Sequence, residues 1–187
     1  RWATHGGPTD GNAHPHRGGE GNRLALVHNG IIENFHSLKK QLLAEGVEFS
    51  SETDTEVAAK LVGREYDRLG DLTEAMRAVV SRLEGAFTLL AVHADSPGVV
   101  VGARRNSPLV VGLGDGANFL GSDVAAWRAA TAAYTSNRDE AIVSMPNRSR
   151  TTARERRVRS ASPGDEASSR ARPNASASRR GSVVSVR

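Results

Sequence analysis

The spacing of apolar residues changes close to Gly85 in this chain of 187 residues. From Thr53 to Gly85 the apolar residues recur at helical intervals, and after Gly85 they follow the two-residue period of strands. Four short runs follow, "AFTLLAVHA", "GVVVGARR", "PLVVGLG" and "NFLGSD", and only a few residues separate each from the next. Short breaks leave room for hairpins alone, so these runs predict consecutive antiparallel strands.

Three helices are predicted before the change of period. The first lies in "IIENFHSLKKQLLAEG", the second runs from Thr53 to Gly70, and the third from Asp71 to Gly85. Thr53 and Glu56 have the spacing of a capping box at the start of the second helix. Each helix has one predicted buried face. It comprises Ile32, Phe35, Leu38, Leu42 and Leu43 in the first helix, Val57, Leu61 and Val62 in the second, and Leu72, Met76, Val79, Val80 and Leu83 in the third.

Two further strands are predicted before Gly85, one ahead of the first helix and one between the first and second helices. The segment "RLALVHNG" indicates a buried strand that a tight Asn29-Gly30 turn closes, because both residue types tolerate a positive φ. The segment "VEFSS" indicates a short alternating strand. Three helices and about six strands, with the antiparallel strands consecutive along the chain, predict an α+β fold.

The last third of the chain has a different composition. Residues 127–187 contain 13 Arg, no Lys and five acidic residues, whereas the remainder is mildly acidic overall. We expect a domain over residues 1–126 and an Arg/Ser/Ala-rich tail over residues 127–187, either disordered or the product of a frame shift. An alternative function follows from this tail, namely binding of a nucleic acid or an acidic partner. Nucleic-acid binding is not favoured, because no aromatic residue follows Tyr134 to stack on bases.

Composition also restricts the chemistry. The 187 residues contain no cysteine, which excludes disulfides, thiolate metal sites and a cysteine nucleophile within them. No apolar run is long enough to span a membrane and no signal peptide is recognisable, so the sequence predicts a cytoplasmic protein without membrane contact.

Two clusters near the beginning have the residue types of a binding site. Arg1 carries a guanidinium that can hold a carboxylate at two points, and the Thr4 hydroxyl can share that role, although an isolated Arg is usually solvated. His14 and His16 form a His-x-His pair that suits a divalent metal. No third ligand lies at a regular spacing, although His5 and His28 are possible, so loop histidines are the favoured interpretation and no metal is predicted.

Two more clusters have both a structural and a chemical interpretation. The side-chain amide of Asn29 and the backbone N–H of Gly30 are either parts of a turn or two donors for a developing oxyanion. Asp54 is either the N-cap of the second helix or a rigidly held carboxylate that binds an ammonium group.

The segments "RWATHG", "NAHPH", "VHNGIIEN" and "SETDTEV", in this order and at these spacings, resemble the glutaminase domains of the glutamine–fructose-6-phosphate aminotransferase family. These are class II glutamine amidotransferases. "SPLVVGLG" followed by "NFLGSD" resembles later hairpins of the same domains, and the resemblance runs from Arg1 to about Ala126. It implies an N-terminal-nucleophile hydrolase fold, an α/β/β/α sandwich of antiparallel sheets that is incomplete here.

The resemblance also implies roles for residues and partners. L-glutamine is the expected ligand and no cofactor is expected. Fructose 6-phosphate would be bound only through isomerase domains that this chain lacks, and the complete enzyme is expected to be a homodimer. The implied glutamine-binding residues are Arg1 and Thr4 at the α-carboxylate, His5 lining the pocket, His14 supporting it and Asp54 at the α-ammonium group, with Asn29 and Gly30 as the oxyanion hole.

The resemblance ends on both sides before the family's domain is complete. The family's nucleophile is an N-terminal cysteine, which would lie upstream of "RWATHG", and the similarity stops after Ala126. We therefore expect an N-terminally truncated fragment with an unrelated tail, catalytically inactive as given.

Overall fold

The computed structural model describes residues 6–113, 118–122, 132–135, 140–146 and 183–185. These residues form three α-helices and nine strands. In chain order the elements are β1 (His16–Gly18), β2 (Leu24–Ile32), α1 (Phe35–Ala44), α2 (Asp54–Leu69), α3 (Leu72–Val80), β3 (Gly85–His93), β4 (Val99–Arg105), β5 (Val110–Leu113), β6 (Asn118–Gly121), β7 (Ala132–Thr135), β8 (Glu140–Pro146) and β9 (Val183–Ser185).

The strands form two sheets. A six-stranded sheet has the order β1-β2-β3-β4-β8-β9, and a three-stranded sheet has the order β6-β5-β7. All neighbours are antiparallel except β8 and β9, which are parallel. The predicted α+β class is confirmed, and so are the antiparallel pairs β3–β4 and β5–β6. The predicted hairpin between β4 and β5 is wrong, because β5 starts the smaller sheet and β4 pairs with β8 instead.

The main core lies between the helices and one face of the larger sheet. Alternate residues of β3, namely Phe87, Leu89 and Ala91, are buried in this core. The predicted buried faces of α2 and α3 are confirmed, because every apolar residue assigned to them is at most 2% exposed. In α1 the prediction is wrong for Leu43, which is 53% exposed at the margin of the buried stripe. Among the described helices, none combines the length and apolar character needed to cross a bilayer.

The smaller sheet packs against the opposite face of the larger sheet. Leu109 and Val111, at the start of the smaller sheet, form a second cluster with Val143 and Met145 of β8. The described layers therefore follow the order helices, larger sheet, smaller sheet, as in a sandwich.

The predicted turn at Asn29-Gly30 is wrong, because β2 continues through both residues to Ile32. Gly30 pairs with Phe87 of β3 and has a φ of 121°, which only glycine adopts readily. A Cβ added at Gly30 would overlap the carbonyl oxygen of Ala86. Pairing with β3 over nine residues overrides the local turn preference, and the glycine serves a close backbone approach instead.

Three other boundaries also differ from the predictions. The segment "VEFSS" forms no strand. The third helix ends at Val80, and Gly85 starts β3. The chain also continues into β7 and β8 beyond Ala126, with Ile142 of β8 fully buried in the main core. The composition of residues 127–187, which is rich in Arg, Ser and Ala, conceals the short apolar run of β8. Residues 147–182 lie outside the described residues.

Strand β1 and helix α2 are in contact through their backbones. A Cβ added at Gly18 would overlap the carbonyl oxygen of Ala59, and one added at Gly63 would overlap the backbone nitrogen of Gly19. Neither obstacle is a flexible side chain, so the neighbouring backbone would have to move. These glycines set the distance between α2 and the sheet.

Gly18→Ala should therefore lower the free energy of unfolding by about 3 kcal/mol, measured by urea denaturation. Gly98→Ala is the matched control, because an added Cβ at this exposed position meets nothing within 4 Å. The control should stay within about 0.5 kcal/mol of the parent chain. Equal midpoints for both variants would contradict the close backbone contact.

Candidate active site

The first turn of α2 begins with polar residues that are all buried. Thr53, Asp54, Thr55 and Glu56 are at most 2% exposed. The Thr53 side chain accepts a hydrogen bond from the backbone N–H of Glu56, which confirms the predicted capping position. Buried polar groups are costly unless they are hydrogen-bonded, so their partners define what this cluster does.

Asp54 joins the helix to strand β2. Its Oδ2 accepts a hydrogen bond of 3.0 Å from the backbone N–H of Ile32. Because Thr53 is the N-cap, the interpretation of Asp54 as the N-cap is wrong. The carboxylate is instead the first residue of α2, where the helix dipole stabilises its negative charge.

The edge of β2 beside Asp54 is open among the described residues. Strand β1 pairs with β2 only at Leu24, Ala25 and Leu26. Beyond Leu26 no described strand pairs with this edge, which runs past Asn29 and Gly30 to the amide bound by Asp54. The Asn29 side chain is exposed and Gly30 is partly exposed. Asn29 and Gly30 therefore belong to the unpaired stretch of β2, and Asp54 is hydrogen-bonded to the end of that stretch.

His28 belongs to this cluster, although the sequence analysis considered it only as a possible third metal ligand. Its side chain is 2% exposed, and its Nδ1 lies 3.0 Å from Oγ1 of Thr55 and 3.6 Å from Oδ1 of Asp54. Thr55 Oγ1 in turn donates to Asp54 Oδ1 over 3.4 Å. A signal was present in the sequence, since His28 continues the buried face formed by Leu24 and Leu26 in "LALVH".

Glu56 fixes the segment that precedes α2. Its carboxylate accepts hydrogen bonds from the backbone N–H groups of Ser50 and Ser51 and from the Ser50 hydroxyl. Burial raises the pKa of Glu56, but these hydrogen bonds outweigh burial, so its pKa lies below the ordinary value of 4.5. The structural role of Glu56 was not foreseen beyond its capping-box spacing.

The two histidines of "NAHPH" differ in their surroundings. His16 is buried, and its Nε2 lies 3.1 Å from Oγ1 of Thr53, so it supports the start of α2. His14 is exposed, with its ring centroid 5.6 Å from that of His16. Within the described ranges no group of three His, Asp or Glu residues is placed to hold a metal ion. Arg1, Thr4 and His5 lie outside the described residues.

A cleft of about 380 Å³ opens on the other side of this cluster. Its lining includes His16, Arg17, Phe49, Glu56 and Lys60, but not Asn29, Gly30 or Asp54. Asp54 itself is 2% exposed. The cleft and the open edge of β2 are therefore different places, and Asn29, Gly30 and Asp54 lie at the edge rather than in the cleft.

The comparison with protein families matches residues 7–129 to the family described as a glutamine amidotransferase domain. The matched region covers more than half of the chain and contains both the open edge of β2 and the first turn of α2. The chain belongs to the glutamine amidotransferase family.

Similar full-length proteins carry a more specific name. The glutamine–fructose-6-phosphate aminotransferase (isomerizing) of Leifsonia xyli subsp. xyli is 73% identical over 127 residues, which are 68% of this chain and 20% of that protein. The protein of the same name from Streptomyces coelicolor is 67% identical over 131 residues, which are 70% of this chain and 21% of that one. This glutamine amidotransferase chain thus spans about a fifth of the length of the curated relatives it matches.

Solved structures support the fold of this glutamine amidotransferase domain. The glutamine phosphoribosylpyrophosphate amidotransferase from B. subtilis is 29% identical, with a TM-score of 0.57, over 69% of this chain and 28% of that one. The structure described as the allosteric regulatory enzyme of purine biosynthesis is 28% identical with a TM-score of 0.54, covering 70% and 27% of the two chains. The expected N-terminal-nucleophile hydrolase type of sandwich is confirmed.

The lowered pKa of Glu56 predicts acid sensitivity. A carboxyl group whose pKa is lower in the folded chain stabilises the fold above its unfolded value of 4.5, and this contribution is lost as the pH falls through the folded pKa. Glu56→Gln should lower the free energy of unfolding at pH 7 by about 2 kcal/mol, because an amide NH₂ would face backbone N–H donors. As the pH falls below 4.5, the stability of the variant should also decrease less than that of the parent chain.

Urea denaturation at several pH values measures both effects, and Glu48→Gln is the control because Glu48 is exposed. The same pH dependence in the Glu56→Gln variant and the parent chain would contradict the assignment.

Proposed function

We propose that this chain is the glutamine-binding part of a glutamine–fructose-6-phosphate aminotransferase. The observation that supports the proposal is the hydrogen bond from the backbone N–H of Ile32, two residues after Gly30, to the Asp54 carboxylate, in the part of β2 that β1 leaves unpaired. Family membership and the names of the similar proteins support it.

In this proposal, Asp54 binds the α-ammonium group of L-glutamine. A carboxylate at a helix N-terminus is held in its charged form, and its attachment to Ile32 fixes its direction. Because Asp54 is buried, its ion pair with the ligand would form away from bulk water, where electrostatic attraction is strong. A surface carboxylate would offer much weaker discrimination between amino acids and uncharged amides.

Asn29 and Gly30 are the proposed donors to the oxyanion. Backbone N–H groups alternate in direction along a strand, so the amide of Gly30 belongs to the same edge as the amide of Ile32. When a nucleophile attacks the side-chain amide of glutamine, the carbonyl oxygen becomes negative, and two fixed donors stabilise it.

The remaining binding roles complete the recognition of glutamine as a zwitterion. Arg1 and Thr4 would hold the α-carboxylate, His5 would line the pocket, and the exposed His14 would support it. The 187 residues contain no cysteine, so we propose that they bind glutamine without hydrolysing it. The nucleophile would have to come from outside these residues.

Transfer of the amide nitrogen to fructose 6-phosphate, and assembly into a homodimer, belong to the proposal for the whole protein. The chain spans about a fifth of its relatives, so these properties would reside largely in other segments. The cytoplasmic location stays a prediction. So does the alternative of nucleic-acid binding, because most of the Arg-rich segment lies outside the described residues.

The 187-residue chain should bind L-glutamine, and Asp54→Asn should weaken the affinity at least about tenfold, because one charge of an ion pair is lost while its shape is kept. Isothermal titration calorimetry measures both dissociation constants. Asp95→Asn is the control. Asp95 is exposed, forms an ion pair with Arg23, and lies near the other end of β2. Equal affinities of the Asp54→Asn variant and the parent chain would refute the proposed role.

A further inference from the structure

His28 is the buried polar group that the proposed function leaves unexplained. Its Nε2 is buried and has no hydrogen-bond partner within the described part of the chain. Its Nδ1 faces Thr55 and Asp54. Burying a histidine on an apolar strand face is costly. The contacts of Nδ1 with Thr55 and Asp54 therefore indicate a role through these two neighbours.

The directions of the hydrogen bonds follow from the number of protons. Thr55 has one hydroxyl proton, and it is donated to Oδ1 of Asp54. This arrangement requires a proton on Nδ1 of His28, because the Thr55 oxygen then accepts a hydrogen bond from the ring.

The resulting chain of donors orients the Asp54 carboxylate. His28 donates to Thr55 and Thr55 donates to Oδ1, while the backbone N–H of Ile32 donates to Oδ2. Both carboxylate oxygens therefore accept a hydrogen bond, Oδ1 from the Thr55 hydroxyl and Oδ2 from the Ile32 amide. Asp54 could otherwise rotate about its side-chain bonds, and such rotation weakens a charged hydrogen bond that depends on direction.

We infer that His28, acting through Thr55, is a positioning residue that aims the Asp54 carboxylate at the α-ammonium group of an amino-acid ligand. The inference rests on the proposed function. It makes a selective prediction, because a misdirected Asp54 carboxylate would weaken the binding only of ligands that carry the ammonium group. General damage to the fold would weaken the binding of all ligands alike.

The experiment compares L-glutamine with glutaramate, the same amide without its α-amino group, by calorimetric titration of the full 187-residue chain. Thr55→Val and His28→Gln should each weaken L-glutamine binding at least about tenfold and leave glutaramate binding within about twofold. Thr55→Ser keeps the hydroxyl and should retain the parent affinity for glutamine. His36→Gln, at an exposed position of α1, is the control.

Unchanged glutamine affinity in both Thr55→Val and His28→Gln would overturn the positioning role while leaving glutamine binding intact. An equal loss for both ligands would also overturn it. If the parent chain binds neither ligand, the proposed function itself fails, and the positioning role with it.

A second measurement applies if a variant does not fold. The ¹⁵N chemical shifts of the His28 ring in the parent chain report the tautomer, and the proton is expected on Nδ1. A proton found on Nε2 alone would overturn the donor chain.

Discussion

The hydrogen bond between the Asp54 carboxylate and the backbone N–H of Ile32 connects the two parts of the molecule on which the site depends. It attaches the first turn of α2 to the edge of β2 that β1 leaves open. The negative charge is stabilised by the helix dipole, and the strand gives the carboxylate a fixed partner. The open edge therefore carries one charged group beside two candidate donors, Asn29 and Gly30.

The surrounding packing keeps this arrangement rigid. Backbone contact through Gly18 and Gly63 sets the distance between α2 and the sheet, and a side chain at either position would force them apart. Glu56 ties the segment before α2 to the helix, while His16 supports the Thr53 cap. Each of these groups is buried, so each polar interaction operates in a medium of low dielectric constant and contributes more than it would in water.

The sequence alone predicts the helices and the antiparallel strands well, because apolar periodicity reports directly which face is buried. It fails where pairing between distant segments decides the local structure. The Asn29-Gly30 pair has the composition of a turn, yet pairing with β3 extends it into a strand. The membership of β8 in the core is likewise invisible in a composition dominated by Arg and Ser. Asp54 could be selected from its motif, whereas His28 is indicated only by its position on the buried face of Leu24 and Leu26, and its hydrogen-bond partner Thr55 lies 27 positions away.

The most direct test of the account is a crystal structure of the chain with L-glutamine bound. The account predicts the α-amino nitrogen about 3 Å from the Asp54 carboxylate, with the side-chain amide oxygen facing Asn29 and Gly30. Glutamine in the cleft lined by Arg17 and Lys60, with the edge of β2 empty, would contradict it.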